Sequence, residues 1–316
     1  MNERKTLLEY EELPVETYVG HTRAFLKVQD GCDQFCSYCI IPYARGPVRS
    51  RDINDVIKET RSFASNGFKE IVLTGIHLTS YNDTKNNVDL SGLIKAIHDI
   101  EGIERIRLGS LEPMHLTHGF IDEIKDLPKL CPHFHISLQS GCEETLKRMN
   151  RKYTPEDYRE IVELIRERIP DVTFTTDVMV GFPGETDEEF ARSYEFCKEI
   201  GFLWIHVFKY SPRKGTAAAK FPDQVQPGIK EKRSKQLIQL ARQMRNNVFE
   251  QFLGRQADII LEQEIEGSPG DMEGLTPNYI PVAVKMDNIK SGEIIRVRLD
   301  SIEGERMRGT ASYITV

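Results

Sequence analysis

Three of the six cysteines of this 316-residue chain, Cys32, Cys36 and Cys39, fall within the stretch GCDQFCSYC with the spacing C-x3-C-x2-C. Thiolates are soft ligands for zinc and for iron–sulfur clusters, and cysteines this close together are the ordinary sequence sign of either. Structural zinc takes four protein ligands, yet no second C-x-x-C pair exists, and Cys131, Cys142 and Cys197 stand far apart. Three thiolates on a four-iron cluster would leave one iron open to a small molecule. The residues favour iron–sulfur over zinc, with buried packing cysteines as the plainest alternative. Arg45, Arg49 and Arg51 follow at once. A solvated basic loop is the simple reading, but guanidinium groups suit carboxylate and phosphate, and nearness to the cysteines favours an anion site.

The surrounding pattern is α/β. AFLKVQ (24–29), EIVLTG (70–75), RIRLGS (105–110), HFHISLQSG (133–141), VTFTTDVMVG (172–181) and WIHVFKY (204–210) read as buried strands. Helical segments alternate with them, among them TPEDYREIVELIRERI and TDEEFARSYEFCKEIG, the latter with a Thr186/Glu189 capping box and Gly201 as its stop. Alternation over this length predicts a partial (βα)6 TIM-like barrel with the cysteines just past the first strand, at the C-terminal end where barrel active sites are built. A long helix, PGIKEKRSKQLIQLARQMRNNVFEQFLG, follows; beyond it ADIILEQE, NYIPVAVKM, EIIRVRLDSI and RGTASYITV predict a small all-β barrel.

Charge excludes a uniformly basic nucleic-acid binder, with 42 Lys+Arg against 49 Asp+Glu and a net of −7. Any RNA contact must be local. The long helix carries Lys230, Lys232, Arg233, Lys235, Arg242 and Arg245, and residues 246–316 carry 7 basic against 12 acidic residues, so one face of the small barrel, with Arg296, Arg298, Arg306 and Arg308, would have to carry it. No apolar run would span a bilayer, and MNERKTLLEYEELP lacks the apolar core of a secretion signal. The expectation is cytoplasmic, where clustered cysteines bind metal more often than they form disulfides. Cys131, Cys142 and Cys197 read as packing thiols, and no role is assigned to His77, His133, His135 or His206.

C-x3-C-x-Tyr-C after a first strand resembles the signature of the radical S-adenosylmethionine superfamily. TRAFLKVQDGCDQFCSYCIIPYARGPVRSR, EIVLTGIHLTSY, PHFHISLQSGCEETLKRMNRKYT and DVMVGFPGETDEEF resemble the methylthiotransferases, most closely those acting on N6-threonylcarbamoyladenosine at position 37 of tRNA. The tail, with GLTPNYIPVAVK, resembles that family's TRAM domain, an OB-like RNA-binding barrel. SLQSG and GFPGET alone would pass as a strand end and a helix-starting loop; their order after three cysteines reverses that. The resemblance implies that Cys32, Cys36 and Cys39 hold a [4Fe–4S] cluster whose open iron chelates S-adenosylmethionine. Reductive cleavage would then yield a deoxyadenosyl radical that attacks C2 of the adenine. It places the cofactor near Tyr38, Thr74, Gly75, Ser137, Gln139, Ser140, Asp177 and Gly181 through Glu185.

It implies as partners the tRNA anticodon arm and an electron donor such as flavodoxin or ferredoxin, with no membrane; a monomer is the simple expectation. Domain limits would be a leader at 1–20, a radical core at 21–248 and a TRAM domain at 249–316. The family carries a second, sulfur-supplying cluster on an N-terminal domain whose cysteines are absent here. The chain is therefore expected to be a fragment, or to cleave S-adenosylmethionine without completing sulfur insertion. Methylthiolation of isopentenyladenosine or of a ribosomal-protein aspartate is the enzymatic alternative; a zinc-bearing RNA-binding protein is the alternative of another class.

Overall fold

The structure is a computed structural model that describes residue 10, residues 22–286 and residues 290–311. Apart from residue 10 the expected leader, and the end of the last expected strand, lie outside the described residues. Six parallel strands run in chain order: β1 (Arg23–Asp30), β2 (Glu70–Gly75), β3 (Arg105–Leu108, resumed at Ser110–Leu111), β4 (His133–Ile136), β5 (Thr173–Val180) and β6 (Trp204–Lys209). Register is explicit at one end, where Arg23 pairs with Glu70, Glu70 with Arg105, His133 with Thr173, and Trp204 with Thr175.

β3 breaks at Gly109, whose N–H donates to the Leu73 carbonyl at 2.8 Å. A Cβ there would stand 2.9 Å from that oxygen. The interruption lets one strand pair with β2 below the break and with β4 above it. The sheet thereby curls into an open half-barrel.

Helices cover the outer face, capped as their sequences require. Asp52 and Asp89 accept from the first turns of Ile53–Ser65 and Leu90–His98, and Thr154/Asp157 and Thr186/Glu189 form capping boxes on Pro155–Arg168 and Asp187–Ile200. Gly201, at φ +70°, stops the latter. Val56, Phe63, Leu93, Ile97, Tyr158, Val162 and Phe196 seal the strands from outside. Two short helices, His118–Ile124 and Glu143–Arg148, lie in stretches where the sequence reading placed none.

After the long helix Pro227–Phe252 come β7 (Gln256–Glu264), β8 (Asp271–Leu275), β9 (Pro281–Lys285), β10 (Ile294–Glu303) and β11 (Arg306–Ala311), which close a separate barrel in the order β7-β8-β9-β11-β10. The sequence reading missed β8: DMEGL lacks the β-branched signature of a strand and is held by pairing to both neighbours.

The small barrel seals the N-terminal end of the half-barrel. Arg105 donates to the carbonyls of Leu275 and Asp258 at 2.9 and 2.8 Å, and Arg107 to those of Pro277 and Thr276 at 2.9 and 3.2 Å. Both arginines flank Glu70, which is fully buried. His133 stacks on Tyr279 at 4.3 Å between centroids, and Leu203 enters the small barrel's core. This leaves the opposite mouth, at the C-terminal strand ends, for chemistry. No helix among the described residues is long and apolar enough to cross a membrane.

Candidate functional site

β1 delivers the chain to Gly31 at φ +75°. A Cβ at that position would lie 1.8 Å from the Pro47 carbonyl oxygen, so only glycine lets the outgoing and returning limbs of the cysteine loop meet. The Cys32 N–H donates to the Gly46 carbonyl at 3.1 Å, and Arg49–Ser50 returns antiparallel to the end of β1. Asp30 ties this base together, accepting from Arg45 at 2.7 and 3.0 Å, Lys27 at 2.8 Å and the Gly31 N–H at 2.7 Å. Burial opposes its ionisation, but Arg45, Lys27 and Gly31 together hold its carboxyl at about 2.

The far side of the loop is clamped by the turn that ends helix Glu143–Arg148. Ser37 donates its N–H to the Met149 carbonyl at 3.0 Å and its hydroxyl to the Arg148 carbonyl at 2.8 Å. Asn150 donates its side-chain amide to the Phe35 carbonyl at 2.9 Å. Phe35 and Asn150 both sit in left-handed backbone, at φ 50° and 59°, a conformation costing roughly 1–2 kcal/mol for a residue with a Cβ. Phe35 is the strained member; Asn150, of a type that visits this region readily, bonds it and holds the loop in a shape it would not adopt alone. From the other flank the Ala218 N–H donates to the Ser37 carbonyl at 2.8 Å.

Cys36 is buried, and Cys32 and Cys39 are half-buried. Burial pushes the Cys32 thiol up to about 11 and raises Cys39 as well, and the Cys36 sulfur adds to both. Thiols this reluctant to ionise are poor nucleophiles, and a metal centre is what would reverse their preference. A single tetrahedral ion would need sulfurs roughly 4 Å apart. Among the described residues no group of three or more His, Cys, Asp or Glu side chains is arranged to hold a metal ion, so the case for a cluster rests on the donor set and its loop. Three soft donors on one clamped loop, with no fourth cysteine beside them, suit a larger iron–sulfur cluster with one iron open.

The expected neighbours fall into two groups. Thr74 and Gly75, half-buried at the end of β2, flank Gln29 and the cysteine loop. Ser137 and Gln139 lie just past β4. The Gln139 N–H bonds the Asp177 carbonyl and its carbonyl accepts from Met179, and the Tyr153 hydroxyl, which donates to the Ser137 carbonyl and accepts from Arg151, connects this strand end to Cys36. Ser140 beside them is buried, its hydroxyl accepting from the Cys142 N–H at 3.2 Å. Asp177 faces the lumen, its carboxylate 3.3 Å from His135. Tyr38 joins an aromatic cluster with Phe182 and Tyr210.

Other residues turn elsewhere. Glu185 is buried, accepting from the Gly181 N–H at 2.9 Å and pairing with Arg233 at 2.7 Å, so it locks the Gly181–Glu185 loop from behind. Arg233 and Arg245, counted in the sequence among basic residues on a helix face, are inside, Arg245 over the Trp204 ring at 4.1 Å. Arg51 is buried in an ion pair with Glu59. Arg45 and Arg49 pair with Asp30, and Arg296 and Arg298, on the small barrel, with Asp258 and Asp300.

Sequence reasoning missed two features of the mouth. Arg151, with a side chain 5% exposed, donates from Nε to the Tyr153 hydroxyl at 3.1 Å and from one terminal nitrogen to the Cys36 sulfur at 3.4 Å. Its other terminal nitrogen pairs with Glu112. His77, 6% exposed, has no hydrogen-bond partner for either ring nitrogen among the described residues. Burial first, then His115, whose ring lies edge-on at 5.2 Å, and Arg151 together lower its pKa to about 4. Its imidazole is neutral at pH 7, with donor and acceptor both unspent. Nothing about a lone histidine or arginine after a strand announces such a role; only MNRKY, inside the family-like string, could have flagged Arg151.

Comparison with known proteins supplies the family. The model of the radical SAM superfamily matches residues 26–197. The threonylcarbamoyladenosine tRNA methylthiotransferase MtaB of Bacillus subtilis (strain 168) is 40% identical over 92% of this chain and 65% of its own length. A tRNA-2-methylthio-N(6)-dimethylallyladenosine synthase of Alkaliphilus oremlandii is 37% identical over 88% of this chain and 59% of its own length. The chain thus spans less than two thirds of the length of these relatives. The radical S-adenosylmethionine methyltransferase TsrM of Kitasatospora setae shares the fold at a TM-score of 0.53 and 19% identity, covering 62% of this chain and 38% of that one. Coproporphyrinogen III oxidase HemN of Escherichia coli does so at 0.52 and 16% identity, covering 72% of this chain and 54% of that one. With the superfamily model matched over more than half of it and the methylthiotransferases aligned along nearly all of it, the chain belongs to the radical SAM superfamily and, within it, to the methylthiotransferase family.

Proposed function

We propose that this chain carries the radical-generating half of a tRNA methylthiotransferase, with a [4Fe–4S] cluster on Cys32, Cys36 and Cys39 and S-adenosylmethionine on the open iron. The observation that carries the reading is the clamped three-cysteine loop at the C-terminal mouth, in a chain whose other end is sealed. When bound, the cluster would supply the electron that splits the sulfonium. The chain's own residues bind and orient. Thr74 and Gly75 would border the methionyl group from one side, and Ser137 and Gln139 the ribose from the other. Asp177, held by His135, supplies a carboxylate facing the lumen. Tyr38, half-buried and backed edge-to-face at 6.3 Å by the fully buried Phe182, would offer an adenine an apolar face. The electron would come from a flavodoxin- or ferredoxin-class donor.

The substrate we propose is the N6-threonylcarbamoyladenosine of a tRNA anticodon arm, a splayed base of the kind that proteins read by stacking and edge contacts. The small barrel would serve as the family's TRAM domain. β5, 8 residues long, spans roughly 25 Å, so an RNA that touches both the mouth and the small barrel must lie along the flank of the half-barrel. Dimethylallyladenosine is the second reading, favoured by relatives at nearly equal identity. Anaerobic incubation with S-adenosylmethionine, a one-electron reductant and tRNA from a strain lacking the gene tests this. Methionine and 5′-deoxyadenosine are expected, and mass analysis of nucleosides in the parent and deletion strains separates the two bases. No cleavage with a full cluster present would overturn the proposal.

A further inference from the structure

We propose that the buried pair Arg151–Glu112 sets the reduction potential of the cluster through the Cys36 sulfur, Arg151 raising it and Glu112 restraining it. The inference rests on the cluster reading above. Every donor of the Arg151 guanidinium that faces a neighbour is spoken for: Nε by the Tyr153 hydroxyl, one terminal nitrogen by the Glu112 carboxylate, the other by Sγ of Cys36. The ring of Tyr153 lies under the same guanidinium at 4.9 Å. Tyr153 is itself fixed, its hydroxyl 2.8 and 2.7 Å from the carbonyls of Ser137 and Leu138.

The charge is therefore rigidly placed and poorly screened. The Arg151 side chain is 5% exposed, and that of Glu112 19%. A merely structural arginine needs only its carboxylate partner; this one spends a donor on a metal-ligating sulfur. Hydrogen bonds to cluster sulfurs and net charge nearby are the levers by which a protein moves an iron–sulfur potential. One electron, given up by a low-potential one-electron donor, adds one negative charge to the cluster. A cation bonded to a ligand sulfur stabilises that reduced form, and a carboxylate one guanidinium away opposes it. Glu112 stands at the end of strand β3 and Arg151 on the clamp turn, one residue past Asn150.

The two members must then act with opposite sign, which neither a folding role nor a loop-holding role would produce. The test is an EPR-monitored redox titration of the reconstituted chain and of Arg151→Gln, Arg151→Lys and Glu112→Gln, each with iron and sulfide content measured. At a fixed potential near the wild-type midpoint, the ratio of reduced to oxidised cluster in Arg151→Gln should be about tenfold lower, a downward shift of about 59 mV for one electron. Glu112→Gln should shift upward, and Arg151→Lys should fall between Arg151→Gln and wild type. Full clusters with unchanged potentials, or shifts of the same sign in Arg151→Gln and Glu112→Gln, would overturn the inference. Absence of any cluster in the wild-type chain would instead overturn the reading on which it rests.

Discussion

At the scale of single residues, three thiols on one short loop were legible in their spacing, while resemblance alone put forward Thr74, Ser137, Gln139 and Asp177 as neighbours. Arg151, Glu112 and His77 were not legible, since a buried donor announces itself only through what surrounds it. His77 makes a testable claim. Its folded pKa, about 4, lies below the ordinary 6.5, so the unfolded chain takes up a proton first as pH falls. The groups that face it, His115, Arg151 and Asp33, leave the sign of that shift downward. Stability from a neutral buried His77 should be complete above about pH 6.5 and drain away between there and pH 4, by up to about 3 kcal/mol. His77→Gln should flatten that stretch of the pH–stability curve in urea unfolding; an unchanged slope would show that His77 titrates normally.

Elements explain why the loop holds its shape. The longer helices and strands were legible because caps and periodicity are local; β8, the break in β3 and the short helices His118–Ile124 and Glu143–Arg148 were not, because tertiary partners decide them. The loop itself depends on Gly31 and on the clamp at Asn150. Gly31→Ala forces alanine into left-handed backbone, about 1–2 kcal/mol, and drives its Cβ into the Pro47 carbonyl. The expected result is a folded half-barrel, by far-ultraviolet circular dichroism, that retains little iron after reconstitution. Asn150→Ala loses one hydrogen bond and a residue type tolerant of φ 59°, so iron loss on dilution should accelerate while secondary structure stays unchanged. Iron retention equal to wild type in both variants would mean that the clamp is ornamental.

At the scale of the whole molecule, two barrels were legible from composition and order, but how they meet was not. The junction is made of Arg105, Arg107 and Glu70, which in the sequence are ordinary alternating charges on strands. Arg107→Met leaves Glu70 buried without its bidentate partner and removes donors to the Pro277 and Thr276 carbonyls. The loss should be about 3–5 kcal/mol in thermal or urea unfolding, with much of it recovered in Glu70→Met/Arg107→Met. No recovery in the double variant would show that the carbonyl contacts, and not the stranded carboxylate, hold the barrels together.

The sealed end and the open, thiol-lined end together make the cluster the centre of the account. Anaerobic reconstitution of the chain with iron and sulfide, followed by metal analysis and EPR after reduction, tests it most directly. About four iron and four sulfide per chain are expected, as one cluster lost together with the brown colour in Cys32→Ala, Cys36→Ala or Cys39→Ala. A colourless, air-stable protein with one zinc per chain, or one whose iron survives loss of those cysteines, would contradict it.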